Sequence, residues 1–268
     1  MINKIRITDF KSMKDRGEKI TMITAYDAII ANILDEAGVD SLLVGDSLGN
    51  VVQGLDTTLP VTLDEIIYHT RLVSRGARRT HLSSDMPFMS YQVSIEEAVR
   101  NAGRLVKEGG AESVKLEINE NYIDTIHAIF KSGIPVISHL GLCPQSVHVM
   151  GGYKVQGISE EDHKKLLELS VLSEQAGASA VLLESVPSGL AREITELIKI
   201  PTIGIGAGND CDGQVLVIND LLGISAEPLP KFVKKYANLR KVIADSTVSY
   251  IYDVKNSIFP SKENSYDK

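Results

Sequence analysis

Short apolar runs rich in β-branched residues recur along the chain, separated by longer stretches in which apolar positions follow the helical period. Ser41–Val44, Ser113–Leu116, Pro135–Ser138, Ala180–Leu183, Thr202–Ile205 and Val215–Ile218 have the length and composition of buried parallel strands. Two less apolar runs, Ile20–Thr24 and Thr80–Ser84, bring the expected strands to eight.

The intervening segments carry helix-start signals. Thr62-x-x-Glu65 and Ser94-x-x-Glu97 read as capping boxes, in which hydroxyl and carboxylate satisfy backbone donors reciprocally. After Ser94, residues Ile95, Ala98, Val99, Ala102, Leu105 and Val106 line one helical face, and Gly109 suits a stop. Ser159 opens a similar helix that ends near Gly177. A gapless internal match sets Gly110–Glu117 on Gly177–Glu184, each a helix end, turn and strand, and Gly38–Asp46 repeats the pattern with one extra residue.

Strands alternating with helices suggest a closed barrel or an open doubly wound sheet. The chain has 268 residues, close to the length of about 250 typical of a (β/α)8 barrel, and eight units in that length favour the barrel. The expected architecture is therefore one (β/α)8 TIM-barrel domain over residues 1–268. It carries a C-terminal helical extension over about 228–259 and a polar tail, 260–268. Within the extension Phe232, Val233, Tyr236, Leu239, Val242 and Ile243 form an apolar stripe, suited to docking on the barrel more than to a subunit contact.

A composition of 43% hydrophobic and 24% charged residues is that of a globular protein and excludes disorder. The net charge of −7, without a basic cluster, argues against a nucleic-acid partner. Cys143 and Cys211 are far apart, so neither a disulfide framework nor a thiolate zinc site is indicated, and a reducing compartment fits. The charged N-terminus lacks a signal core and no run approaches about 18 apolar residues, which predicts a soluble cytoplasmic protein with no membrane partner.

The candidate chemistry lies where ionisable residues meet strand ends. Asp46, Asp85, Glu117, His139 and Glu184 each close an expected strand, and in a barrel those ends converge on the mouth where active sites are built. Lys115 and Glu117, two apart on one strand, project to the same side. Singly each has a bland reading, as a helix cap, a solvated carboxylate or a core imidazole. Several carboxylates in one cavity repel unless a cation is present, and oxygen donors without paired His or Cys favour a hard ion such as Mg²⁺. The alternative is a metal-free mouth in which Lys115 pairs with Glu117. The run Gly204–Asn209 lacks dinucleotide spacing and reads as a phosphate loop, a tight turn or a substrate wall. The loop over 141–158 is long enough to be functional.

Several motifs together carry a family resemblance. Gly45-Asp46-Ser47-Leu48-Gly49, Thr57-Thr58-Leu59-Pro60-Val61-Thr62, Asp85-Met86-Pro87-Phe88-Met89, His139-Leu140-Gly141-Leu142, Gly151 to Gly157, Gly204 to Gly208 and Asp212-Gly213-Gln214 resemble the ketopantoate hydroxymethyltransferase family, in order over nearly the whole chain. The resemblance implies a barrel of the phosphoenolpyruvate mutase/isocitrate lyase type and a homo-oligomer, a decamer of two rings. It also implies hydroxymethyl transfer from 5,10-methylenetetrahydrofolate, as co-substrate, to 3-methyl-2-oxobutanoate, giving 2-dehydropantoate in pantothenate biosynthesis. On the matching motifs, Asp46, Asp85 and Glu117 correspond to a site for one Mg²⁺ per subunit, Glu117 acting through water. Asp46, Ser47, Asp85 and Lys115 match the oxo-acid contacts, and Glu184 matches the proton acceptor. His139 is expected to donate to the substrate or orient a metal water, and the metal to stabilise the enolate formed when Glu184 removes the C3 proton. The residues contacting folate are not identified by any motif. Ile118-Asn119 and Ser225-Ala226-Glu227 depart from the family's glycine-rich pattern beside the metal and the folate mouth. A metal-dependent lyase of the same barrel group and a catalytically silent scaffold remain alternatives.

Overall fold

The computed structural model describes residues 3–266, which form two units divided between Val217 and Ile218. In the first unit eight parallel strands close into a barrel in sequence order. They are β1 (Ile20–Thr24), β2 (Ser41–Val44), β3 (His81–Asp85), β4 (Ser113–Glu117), β5 (Val136–Gly141), β6 (Ala180–Glu184), β7 (Thr202–Ile205) and β8 (Gly213–Leu216). Closure excludes the open-sheet alternative. β1 pairs with β8 through Ile20↔Gly213 to Ile23↔Leu216.

The last strand lies two residues earlier than its apolar run suggests: it begins at Gly213 and ends at Leu216, and Ile218 opens a short helix instead. The cause is space. A Cβ on residue 213 would stand 2.5 Å from the Ile20 carbonyl oxygen and 2.7 Å from Ile203 Cδ1, so only glycine lets β8 slot between β1 and β7.

The helices are α1 (Ile7–Asp15), α2 (Ala28–Ala37), α3 (Leu63–Gly76), α4 (Ile95–Arg104), α5 (Ile123–Lys131), α6 (Glu160–Gln175) and α7 (Ser188–Leu197), with shorter turns between them. Thr62 and Glu65 form the full capping box of α3. Ser94 supplies only half of one, accepting from the Glu97 amide, and Ser159 likewise accepts from the Asp162 amide to open α6. α4 widens into a π turn over Leu105–Gly109, so the helical stretch ends at Gly109 as expected, and Gly110 follows in the left-handed conformation. The internal repeat is structural, because Gly110 and Gly177 both have positive φ and both lead into a strand.

The barrel is filled by Ile20, Met22, Leu43, Ile137, Ala180, Leu182, Ile203 and Val215, with Phe10 of α1 in the same cluster. Phe10 packs edge-on against the His81 ring. Burial of this apolar set supplies the folding drive, at roughly 25 cal/mol per Å².

The second unit holds the short helix Ile218–Leu221 and α8 (Leu239–Lys255). The extension is not helical from about residue 228: Asn238, whose side chain accepts from the Lys241 amide, caps α8 and sets its start. Before it Tyr236 N–H donates to Leu221 O, and the first residue of α8, Leu239, donates its N–H to Leu222 O. The described part of the polar tail holds a 3₁₀ turn at Lys262–Asn264, and residues 267–268 lie outside the described residues.

Candidate active site

The barrel topology delivers the expected ionisable residues to one end. Asp85, Glu117 and Glu184 are the last residues of β3, β4 and β6, and Asp46 lies two residues beyond β2. His139 sits within β5, which runs on to Gly141, rather than closing it. Strand register places Asp85 beside Lys115 and Glu117 beside His139. All of these are buried except Glu184, whose side chain keeps 19% of its surface exposed.

Direct contacts tie them together. The Asp46 backbone N–H donates to Asp85 Oδ2 at 2.9 Å, and Lys115 Nζ lies 2.9 Å from Asp85 Oδ1. Lys115 therefore pairs with Asp85 and not with Glu117, because the β3–β4 register sets the two side by side. On its other side Lys115 Nζ is 3.4 Å from His139 Nδ1, and His139 Nε2 faces Glu184 Oε2 at 3.2 Å. Ser47 Oγ shares a hydrogen bond of 2.9 Å with the Tyr26 hydroxyl.

Gln145 is the residue that sequence reasoning missed. It is buried in the loop after β5, and its side-chain Nε2 donates to Asp46 Oδ2 at 2.8 Å and to Met86 O at 3.0 Å. Its backbone N–H donates to the Glu117 carboxylate at 3.0 Å, and its Oε1 accepts from the Tyr91 hydroxyl at 3.0 Å. The only signal for it was the length of the 141–158 loop, in which Pro144 starts a 3₁₀ turn that turns Gln145 inward.

Electrostatics follow from this crowding. Burial, then the Asp85 charge, pushes the Asp46 carboxyl up to about 7, against the pull of Lys115 and Gln145. Burial, then Asp46, likewise raises Glu117 well above the carboxylate range. Burial works against the Lys115 ammonium, but Asp85, Asp46 and Glu117 outweigh it and raise its pKa, so Lys115 is charged. Burial, then Lys115, lowers His139. A charged Lys115 can only donate, so the neutral His139 ring accepts at Nδ1 and carries its proton on Nε2, toward Glu184.

Among the described residues no three His, Cys, Asp or Glu side chains stand close enough to hold a metal ion by themselves. The donor set nevertheless suits a hard cation: Asp46 and Asp85 offer oxygens and Glu117 is joined to Asp46 through Gln145, while Asp85 Oδ1 is engaged by the Lys115 ammonium. A bound cation would relieve the repulsion that now raises Asp46 and Glu117.

The surrounding wall settles two smaller points. Ile118 is a buried apolar residue whose N–H donates to His139 O, and Asn119 caps the turn Glu120–Tyr122. The glycine-rich run is a packed turn, since a Cβ on Gly208 would stand 2.6 Å from Ser188 Cβ and Gly208 O accepts from Gln214 Nε2.

Comparison with known proteins places the molecule. A family model for ketopantoate hydroxymethyltransferase matches residues 4–262. The chain is 54% identical over 263 residues to 3-methyl-2-oxobutanoate hydroxymethyltransferase of Syntrophus aciditrophicus (strain SB), covering 98% of this chain and 97% of that protein. It is 52% identical to the enzyme of the same name from Geobacter metallireducens (strain ATCC 53774 / DSM 7210 / GS-15), covering 99% and 100%. Among solved structures, a phosphonopyruvate hydrolase in complex with oxalate and Mg++ aligns with a TM-score of 0.63 at 11% identity, covering 97% of this chain and 93% of that one. A 2,3-dimethylmalate lyase, a member of the PEP mutase/isocitrate lyase superfamily, aligns at 0.61 and 15%, covering 97% and 91%. These neighbours share the barrel fold. No described helix is long and apolar enough to cross a membrane.

Proposed function

The chain belongs to the ketopantoate hydroxymethyltransferase family, and from that premise we propose that it transfers a hydroxymethyl group from 5,10-methylenetetrahydrofolate to 3-methyl-2-oxobutanoate, giving 2-dehydropantoate. With water consumed, the products are 2-dehydropantoate and tetrahydrofolate. The observation that carries this reading is the linked set Asp46–Gln145–Glu117 beside Asp85–Lys115–His139–Glu184 at one barrel mouth.

Asp46 and Asp85 would hold one Mg²⁺, with Glu117 acting through water. When bound, the ion supplies Lewis-acid polarisation of the 2-oxo acid's keto and carboxylate oxygens. The chain's own residues do the rest. Lys115 and the Ser47 hydroxyl bind the substrate carboxylate, which fixes C3 toward Glu184. Glu184 takes the C3 proton on a side-chain oxygen; it is the least buried of the cluster, so substrate can reach it. His139 Nε2 lies 3.2 Å from Glu184 Oε2 and its Nδ1 accepts from Lys115, so substrate anchoring and base orientation share one line of contacts. The nucleophilic C3 then attacks the methylene carbon of the folate. The same reading makes the protein a cytoplasmic enzyme and a subunit of a homo-oligomer, a decamer.

The purified protein, supplied with Mg²⁺, is expected to exchange the C3 proton of 3-methyl-2-oxobutanoate for deuterium and, with the folate, to form 2-dehydropantoate. Absence of both reactions would overturn the proposal.

A further inference from the structure

We propose that Tyr91 is a positioning residue for the metal site: its hydroxyl, together with the Gln92 amide, fixes which end of the Gln145 side chain faces Asp46. The inference rests on the metal reading above, in which Asp46 is a ligand. Tyr91 acts through Gln145 and has no part in the chemistry itself.

A glutamine side chain has a donating end and an accepting end of nearly the same shape, so its orientation is set by what each end meets. At Gln145 the two ends meet opposite chemistry. Nε2 donates to two acceptors, Asp46 Oδ2 at 2.8 Å and Met86 O at 3.0 Å. Oε1 accepts from two donors, the Tyr91 hydroxyl at 3.0 Å and Gln92 Nε2 at 3.2 Å. Turned over, the amide would press its oxygen against a carboxylate and a carbonyl in a buried site and leave its own donors facing the Gln92 amide nitrogen, a costly arrangement. Three of the four partners, Met86, Tyr91 and Gln92, lie in the loop after β3. That loop therefore grips the amide at both ends and presents it to Asp46 in the loop after β2.

Tyr91 is itself held in place. Its ring is buried and packs edge-on against Tyr122, with centroids 5.4 Å apart. The loop is anchored on both sides of the grip: Met86 N–H donates to Lys115 O at 2.8 Å, and Asn101 Nδ2 of α4 donates to Ser90 O at 2.7 Å. Glu117 N–H donates to the Tyr91 hydroxyl oxygen at 3.2 Å, which leaves the single phenol proton for Glu117 O at 3.1 Å or Gln145 Oε1 at 3.0 Å. Glu117 depends little on that proton, because pairing with His139 on β5 already sets its backbone. Gln145 depends on it more. A donor at Oε1 polarises the amide and strengthens donation from Nε2, so the hydroxyl both orients the amide and firms its hold on the Asp46 carboxylate.

The test is calorimetric titration of the full chain with Mg²⁺ alone, comparing the parent with Tyr91→Phe, Gln145→Ala and the double variant, each checked for folding by circular dichroism. Tyr91→Phe keeps the ring and removes only the hydroxyl. It is expected to weaken Mg²⁺ binding by about three- to tenfold, the scale of one lost hydrogen bond. In the Gln145→Ala background the same change is expected to shift affinity by less than about twofold, because the route through the amide is already gone. A merely structural tyrosine would lower stability without this dependence on Gln145. Parent affinity in Tyr91→Phe, or an equal loss in both backgrounds, overturns the proposal. If Tyr91→Phe does not fold, Gln92→Ala decides, since it takes the second donor from the same oxygen: weakened Mg²⁺ binding upholds the proposal and parent affinity overturns it. A parent protein that binds no Mg²⁺ overturns the metal reading itself, and the positioning role with it.

Discussion

Gln145 and Asp46 stand 99 residues apart in the chain, yet the Gln145 side-chain amide donates to the Asp46 carboxylate at 2.8 Å while its backbone N–H donates to Glu117. One buried residue therefore orients two of the three acids proposed to serve the metal. Partners of this kind fix ligand geometry, and their loss typically costs about 10–100-fold in metal affinity.

Gln145→Ala is accordingly expected to weaken Mg²⁺ binding by about 10–100-fold in calorimetry. Circular dichroism controls for folding, and an unchanged Mg²⁺ affinity would refute the orienting role.

Glu184→Gln keeps the size of the side chain and its contact with His139 but removes the base. C3 exchange should fall by about 10²–10⁴-fold, while Mg²⁺ and oxo-acid binding stay within about twofold. Retained exchange would point to another proton acceptor.

His81 gives the fold a pH dependence of definite sign. Burial, then the charge of Lys4, lowers its pKa from 6.5 to about 3, and Phe10, Ser113 and Glu112 pack around it. Above about pH 6.5 the ring is neutral folded or unfolded. Below that, the unfolded chain takes up a proton that the folded one refuses, so stability falls as pH drops toward 3. Between pH 6.5 and 5 this group alone costs about 2 kcal/mol. Urea titrations at several pH values should show that loss in the parent protein and a shallower one in His81→Gln.

Gly213→Ala places a methyl against the Ile20 carbonyl oxygen, a backbone atom that cannot swing aside. The β1–β8 seam must shift, at a cost of about 1–3 kcal/mol. Chemical denaturation at neutral pH measures it, and a variant as stable as the parent would mean the seam has slack.

Much of this protein was legible before folding was considered, because the signals are local. β-branched runs of strand length, the Thr62–Glu65 capping box and the paired Gly110 and Gly177 turns act within a few residues, and all but the last strand appear where the sequence puts them. The acids at strand ends were legible for the same reason: a parallel barrel sends every strand's C-terminal end to one side. What local pattern could not decide was set by contacts across the barrel. The apolar run Val215–Ile218 looks like a strand by itself, but the strand starts at Gly213, because only a residue without Cβ fits between Ile20 and Ile203. The apolar stripe from Phe232 onward looks helical, but Asn238 caps the helix and the preceding Tyr236 N–H bonds to Leu221 O. Lys115 could have paired with either of two acids; strand register gave it Asp85. Gln145 carries no motif, and its role exists only where closure brings the loops after β2 and β5 within hydrogen-bonding distance. The sequence alone determined the repeating unit and the chemical types available at its ends, since those depend on neighbours in the chain. Tertiary structure decided which of them touch, since that depends on register and on the space closure leaves.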